Sequence, residues 1–143
     1  MDSISTLKTL LSNLDPPIVV LEPQEVDTPM LIGSAESGGR KIAGTQGLSK
    51  WFEAHPNGYV QLYDPTPVFS DGVLDQNIYL LDCVAPTRAK ALELYLKARK
   101  ALGDPLRDGS EWVYLDKIVL PLEGTGGARV QLRMYKTDVF DYR

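Results

Sequence analysis

The segment Asn77-Ile-Tyr-Leu-Leu-Asp-Cys-Val-Ala-Pro-Thr-Arg-Ala-Lys-Ala-Leu-Glu-Leu-Tyr-Leu-Lys-Ala-Arg-Lys-Ala-Leu102 reads as a strand, a corner and a helix in succession. Asn77–Val84 is short, apolar and β-branched, as a strand requires. Ala85-Pro86-Thr87 breaks it. From Arg88 onward, Ala91, Leu94, Tyr95, Ala98 and Leu102 recur at i, i+3, i+4, i+7 and i+11, which is one face of a helix. Lys90, Glu93, Lys97 and Lys100 fall on another face and should be wet. Pro86 suits a first helical turn, where its missing N–H costs nothing. Gly103 suits the position after the helix, where positive φ is tolerated.

Working outward, Ser3–Leu14 should form a first helix, with Ile4, Leu7, Leu10, Leu11 and Leu14 on its apolar side. Asp15-Pro16-Pro17 ends it, because a proline disfavours helix in the residue before it. Ile18–Leu21 reads as a short strand, and Met30–Ile32 as a second apolar run paired with the first. Residues 33–47 carry five glycines among serines and threonines, a flexible loop or weak hairpin holding Lys41 and Ile42. Leu48–Ala54 can make one or two helical turns presenting Trp51 and Phe52. Tyr59–Tyr63 alternates as a strand. Turns at Asp64–Pro67 and Ser70–Gly72 flank a small Val68-Phe69 pair.

Beyond the central helix, Glu111–Leu120 reads as a strand. Trp112, Tyr114, Ile118 and Leu120 share one parity, interrupted by Asp116; Val113, Leu115 and Val119 share the other. Two apolar faces predict a strand that is interior to the sheet or covered on both faces. Glu123–Ala128 is a flexible link, and Gly124-Thr-Gly-Gly127 reads as a hairpin turn: it lacks the Lys-Ser/Thr of a phosphate loop and leads into a strand. The last strand alternates cleanly. Val130, Leu132 and Met134 point one way; Arg129, Gln131, Arg133 and Tyr135 point the other. The expectation is one α+β domain spanning 1–143: a single antiparallel or mixed sheet, two main helices on one face, and a long glycine-rich loop.

The chain has 143 residues, is 43% hydrophobic and 24% charged, and carries a net charge of −4. That balance is globular and argues against a surface built to grip nucleic acid or an anionic membrane. No run approaches the about 18 apolar residues of a membrane span. The N-terminus lacks a secretory pattern, so a cytoplasm-like compartment is expected. One cysteine, Cys83, allows no intrachain disulfide, and its apolar setting makes it a buried hydrophobe. The single histidine, His55, sits at a Pro-Asn-Gly turn and reads as a surface residue. Asp82 and Asp116 could form an acid pair on neighbouring strands; a solvent-facing position and a salt bridge are the plainer expectations. Arg88, Lys90, Lys97, Arg99 and Lys100 read as a solvated helix face. No catalytic, cofactor or metal constellation emerges, and the expectation is a protein that is not an enzyme and holds no cofactor.

The order of elements carries a resemblance. A leading helix is followed by short strands near Ile18 and Met30, the Asn77–Val84 strand and the Pro-Thr-Arg-Ala-Lys-Ala-Leu-Glu helix. The Ile118–Pro121 and Arg129–Tyr135 strands close the chain. This order resembles the tail-terminator (tail-completion) and minor capsid proteins of long-tailed bacteriophages and related gene-transfer particles. The resemblance covers most of 1–32 and 75–143; residues 33–71 are longer than its pattern. It implies a structural virion protein at the head–tail junction, assembled in the host cytoplasm. Such a protein forms a homo-oligomeric ring, commonly a hexamer, which ends tail-tube polymerisation and joins the tail to the head connector. Implied partners are copies of itself, the tail tube protein and the connector or stopper protein, with DNA only passing through the lumen and no membrane. Trp51, Phe52, Arg129, Arg133, Tyr135, Phe140 and Tyr142 are the candidate interface residues, since aromatics and arginine are enriched in interfaces. The alternatives are another connector protein, a stopper or head-completion protein, or a small cone-shaped enzyme resembling ketosteroid isomerase that draws on Asp82, Asp116 or His55.

Overall fold

The computed structural model describes residues 3–12, 14, 18–31, 35–37, 40–42, 45–70, 74–102, 112–122 and 127–139. In chain order the elements are α1 (Ser3–Leu11), β1 (Val19–Leu21), α2 (Thr28–Leu31), β2 (Ala35–Ser37), β3 (Arg40–Ile42) and α3 (Thr45–Ala54). There follow β4 (Tyr59–Leu62), β5 (Thr66–Ser70), β6 (Leu74–Ala85), α4 (Arg88–Ala101), β7 (Trp112–Pro121) and β8 (Ala128–Val139). The expected α+β architecture is present: one six-stranded mixed sheet, ordered β1-β4-β6-β8-β7, with β5 also paired to β6.

β6 and β8 pair antiparallel from Leu74↔Val139 to Ala85↔Ala128, the whole length of both strands. β4 takes the C-terminal half of the other edge of β6 (Tyr59↔Val84 to Leu62↔Leu81) and β5 takes the N-terminal half (Thr66↔Ile78 to Ser70↔Asp75). β1 runs parallel to β4 and covers its outer edge.

The two main helices, α1 and α4, fall as the sequence predicts on one face. Ala91, Leu94, Tyr95, Ala98 and Leu102 of the central helix are buried, as are Leu7, Leu11 and Leu14 of the first. They meet Val60, Leu62, Tyr79, Leu81, Cys83, Val130, Leu132 and Met134 in one core. The three inward residues named by the alternation of β8 are in this core, joined by Ala128 at the start of the strand. Thr87 caps α4, its hydroxyl accepting from the Lys90 N–H at 3.2 Å. Pro86 therefore precedes the cap and does not sit in the first turn. Gly103 lies outside the described residues.

Four expectations are corrected. Thr28–Leu31 is a helical turn against α3, not a strand beside β1. Pro29 sits in its first turn, where a proline fits helix and removes no needed donor. Residues 66–70, expected as a small Val68-Phe69 pair between turns at 64–67 and 70–72, form β5. Its Pro67 is tolerated because the strand pairs on one side only among the described residues, and the register shifts between Pro67 and Phe69. α3 is longer than expected and lies on the opposite face of the sheet. There Trp51, Phe52 and Leu48 bury against Leu21, Tyr59 and Val84 as a second, smaller core. Finally, among the described residues β7 is an edge strand and not an interior one. A bulge at Leu115, between the pairs Tyr114↔Met134 and Asp116↔Arg133, rephases it. Lys117 and Val119 then lie opposite Leu132 and Val130, on the helix-covered side. Ile118 lies opposite Gln131 and Leu120 opposite Arg129, on the open side.

Of the 33–47 segment, β2 and β3 form a small antiparallel hairpin in which Glu36 faces Lys41. The glycines at 33, 38, 39 and 44 lie outside the described residues.

Gly58 makes the corner between α3 and β4 with φ +87°, and a Cβ there would stand 2.1 Å from the Val84 carbonyl oxygen. Backbone cannot yield as a flexible side chain does. Gly58→Ala is therefore expected to destabilise the chain by about 1–3 kcal/mol, read as a lower urea midpoint at unchanged slope. An unchanged midpoint would contradict this packing of the corner.

Candidate functional site

Among the described residues, α3 covers the face of the sheet away from α1 and α4 at the Tyr59/Val84 end. The rest is laid out by the strand register. Gln61, Asp82, Gln131 and Ile118 form one row across β4, β6, β8 and β7. Leu80, Arg133 and Asp116 form the next, and Ile78, Tyr135 and Val113 the one after. This open face carries most of the sequence-predicted polar residues.

The two carboxylates do not form an acid pair. β8 lies between them, and each takes its own arginine from that strand. Arg133 grips Asp116 with both limbs of its guanidinium, Nε donating to Oδ1 at 2.6 Å and Nη2 donating to Oδ2. The Arg133 hydrogen bonds hold the Asp116 carboxyl below the usual carboxylate range. Both side chains remain about 40% exposed (39% and 43%), so water screens the pair.

Asp82 was expected to face solvent and is instead 1% exposed. A buried carboxylate needs partners. The Tyr63 hydroxyl donates to its Oδ2 at 2.7 Å, and Arg129 Nη1 approaches the same oxygen at 3.4 Å. Its Oδ1 and the neighbouring Gln61 Oε1 have no hydrogen-bond partner among the described residues. Gln61 cannot turn to help, because its amide donates to the carbonyls of Glu22 (3.0 Å) and Leu62 (2.8 Å). Burial, and then the Asp82 charge, push the Tyr59 phenol up to about 12 and the Tyr63 phenol up as well. Burial also raises the Cys83 thiol, as suits a buried hydrophobe.

His55 stacks on Trp51, ring centroids 4.4 Å apart, and has no hydrogen bond to either carboxylate among the described residues. The helix cations are also partly engaged. Arg99 donates to the Tyr95 hydroxyl at 3.1 Å and lies over the Tyr114 ring, 4.1 Å from its centroid. Lys117 reaches over Tyr95 from β7, 4.9 Å from the ring centroid. Lys97 pairs with Glu93 at 3.2 Å, and Lys90 donates to the Pro56 carbonyl.

The candidate interface residues separate into three groups. The rings of Trp51 and Phe52, 7% and 8% exposed, belong to the second core. Arg129, Arg133 and Tyr135 lie half-buried on the open face. Phe140 and Tyr142 lie outside the described residues. Sequence reasoning missed a further set. Val113, Leu115 and Ile118 on β7 are 39%, 43% and 41% exposed, and Val68 and Phe69 on β5 are 57% and 50% exposed. β5 and β7 are opposite edges of the same sheet, each paired on one side only among the described residues. The break at Asp116 in the parity of β7 was the signal for its bulge, and hence for the outward turn of Ile118.

Among the described residues no helix is long and apolar enough to cross a membrane. No family model matches the chain, and no curated protein matches it. Among solved structures, the chain is similar to one from a "Virion of native gene transfer agent (GTA) particle", at a TM-score of 0.47 and 14% identity over 95% of this chain and 84% of that one. A likeness at that level assigns neither a fold nor a role.

The phenols yield a test. Tyr59 ionises at about 12 in the folded chain and at about 10 once unfolded. Its neutral form therefore supports the fold fully below about pH 10, and that support is lost as pH rises towards about 12. Thermal midpoints across this range should fall less steeply in Tyr59→Phe than in the unaltered chain. Separately, Tyr63→Phe strips a donor from buried Asp82 and should cost about 1–3 kcal/mol. Asp116→Asn, at a half-exposed pair, should cost less.

Proposed function

We propose that this chain is a structural protein of a phage-like virion, and within that class a tail terminator. It works by assembling with copies of itself and carries out no chemistry. In this reading copies close into a ring, a hexamer in the pattern of the family it resembles. The ring sits at the head-proximal end of the tail tube, stops tube growth and offers a surface to the head connector.

The observation that supports self-assembly most directly is the pair of open sheet edges. A ring is built from heterologous contacts, so each copy needs two different complementary patches. β5 and β7 are two such patches. They lie on opposite sides of one sheet, each is paired on one side only among the described residues, and each exposes apolar side chains: Val68 and Phe69 on one, Val113, Leu115 and Ile118 on the other. Soluble monomers normally blunt such edges. Joining β5 of one copy to β7 of the next satisfies both backbones and covers both patches. The virion setting rests on the order of elements described from the sequence. The net charge of −4 suits a lumen through which DNA slides without sticking.

Charge placed on either edge should break assembly without unfolding the chain, because the side chains concerned already meet water. Phe69→Glu and Ile118→Glu should each leave the circular dichroism spectrum unchanged and abolish rings, scored by native mass spectrometry and by electron microscopy on tubes of the particle's own tail protein. Mixed together, the two variants retain one competent β5 and one competent β7, so they should form dimers and nothing larger. Tubes assembled without the protein should run over-long. Rings that persist in either variant would contradict the edge contact, and tubes of unchanged length would contradict the terminator role.

A further inference from the structure

β1 stands one strand further out than β5. It covers the outer edge of β4 from Tyr59 to Gln61, whereas β5 is paired to β6 alone among the described residues. This margin of the sheet is therefore a notch along Thr66–Ser70, closed by β1 beyond its Thr66 end. The opposite margin carries an arm that matches it. Past the bulge at Leu115, β7 keeps an unbroken register with β8 from Asp116↔Arg133 to Pro121↔Ala128.

The register fixes how notch and arm can meet. Ile118 and Leu21 lie in one row, that of Asp82, on opposite margins of the sheet. A neighbour joined level would drive its β7 against β1. The arm must slide towards the Ser70 end of β5 until it clears β1. The slide must be an even number of residues, since an odd one turns helix-covered side chains to the open face. Phe69 lies in the row of Gln76, six residues along β6 from Asp82. A slide of that size sets Ile118 across from Phe69 on the open face and Leu120 across from Thr66. It also brings Lys117 into the row of Ser70, Asp75 and Asp138 on the helix-covered side. Lys117 is exposed and has no carboxylate partner among the described residues, and Asp75 has no cation there. A slide shorter by one step would set charged Asp116 against Phe69. A longer one would leave Ile118 beyond the end of β5.

We propose that β5 of one copy receives the Lys117–Pro121 arm of β7 from a second copy, antiparallel and stepped so that Ile118 meets Phe69 and Lys117 meets Asp75. This rests on the edge contact proposed above and adds its register. The step shapes the ring. Six residues span about 20 Å along the strands, and the four strands β5, β6, β8 and β7 that each copy adds span about 19 Å across them. Rotation about a ring axis permits no rise, so the strands must tilt from that axis by about 45°, at the upper end of the tilt that closed β-barrels adopt.

The test traps the contact in rings assembled on tail tubes. Phe69→Cys chains are mixed with Ile118→Cys chains and oxidised mildly, since directly opposed strand residues stand close enough for a disulfide. Cys83 is buried and does not compete. This pair should link at least about tenfold faster than Phe69→Cys with Asp116→Cys or with Leu120→Cys, whose cysteines sit one step away on the same face. Faster capture by either of those overturns the step and keeps the edge contact. No disulfide from any of the three overturns the proposal, and the edge contact falls with it only if rings also survive Phe69→Glu and Ile118→Glu. The ion pair has its own readout. Lys117→Glu should raise the concentration for half-assembly at least about fivefold at low salt, and adding Asp75→Lys to the same chain should recover most of that loss. A Lys117→Glu chain that assembles unchanged, or that Asp75→Lys fails to rescue, overturns the Lys117–Asp75 contact.

Discussion

The unbroken antiparallel pairing of β6 with β8 is the constraint on which the rest of the molecule depends. Twelve residues of β6 are matched one to one by twelve of β8. A slip of β8 by one residue would turn Val130 and Leu132 from the helix-covered face to the open one, away from Leu81 and Cys83 of β6. Those residues are 0 or 1% exposed, so the hydrophobic cost of a slip runs over the length of the core. Everything else is referred to this ladder. β4 and β5 divide one flank of β6 between them, β7 follows β8 on the other side, and α4 is delivered onto the sheet directly from the end of β6.

The two faces of that ladder are built differently, and the difference explains the polar residues. The helix-covered face is apolar through the core, turns polar beyond it at Asn77 and Lys136, and has a polar seam at the β7 margin. There Tyr95, Tyr114, Arg99 and Lys117 join hydroxyls to cations over aromatic rings. On the open face each charge has a cross-strand partner from β8. Asp82 is the extreme case: a carboxylate withdrawn from water and supported by a phenol and a half-exposed arginine. Such an arrangement costs desolvation and returns specificity of register, because only one alignment brings Tyr63, Asp82 and Arg129 together.

Much of the fold was legible because it follows from periodicity. The apolar stripe of α4, the buried leucines of α1 and the alternation of β8 all give the face that the structure buries. What escaped was set by contacts remote in sequence. Met30 sits in an apolar run that suits a strand, yet Pro29 and the neighbouring α3 make the segment a helical turn. Val68 and Phe69 lie among prolines that suit turns, yet an edge strand has no use for the donors that proline removes. β7 was misphased because the bulge at Leu115 adds a residue that alternation cannot count. Trp51 and Phe52 look like surface anchors in a short amphipathic segment. Their burial depends on Tyr59 and Val84, which arrive from strands that the local sequence does not specify. The open face was legible in part: Arg129, Arg133 and Tyr135 follow from the parity of β8, whereas the apolar margins follow only once β5 and β7 are known to be edges.

Those margins present a physical conflict that narrows their use. Edge strands that must avoid association carry charge, proline or a bulge, and both edges here carry some of these: Pro67 and a register shift in β5, Lys117 and the Leu115 bulge in β7. Yet each also exposes apolar side chains beside the interruption. A strand defended against every partner would not keep Phe69 or Ile118 in water, and a strand open to every partner would not be bent. An interrupted edge with apolar side chains on either side of the break accepts a partner whose own shape matches the break and rejects a flat strand. That combination gives selectivity at the expense of indiscriminate pairing, and it is what β5 and β7 need if they are to meet each other's counterparts and not be extended at random.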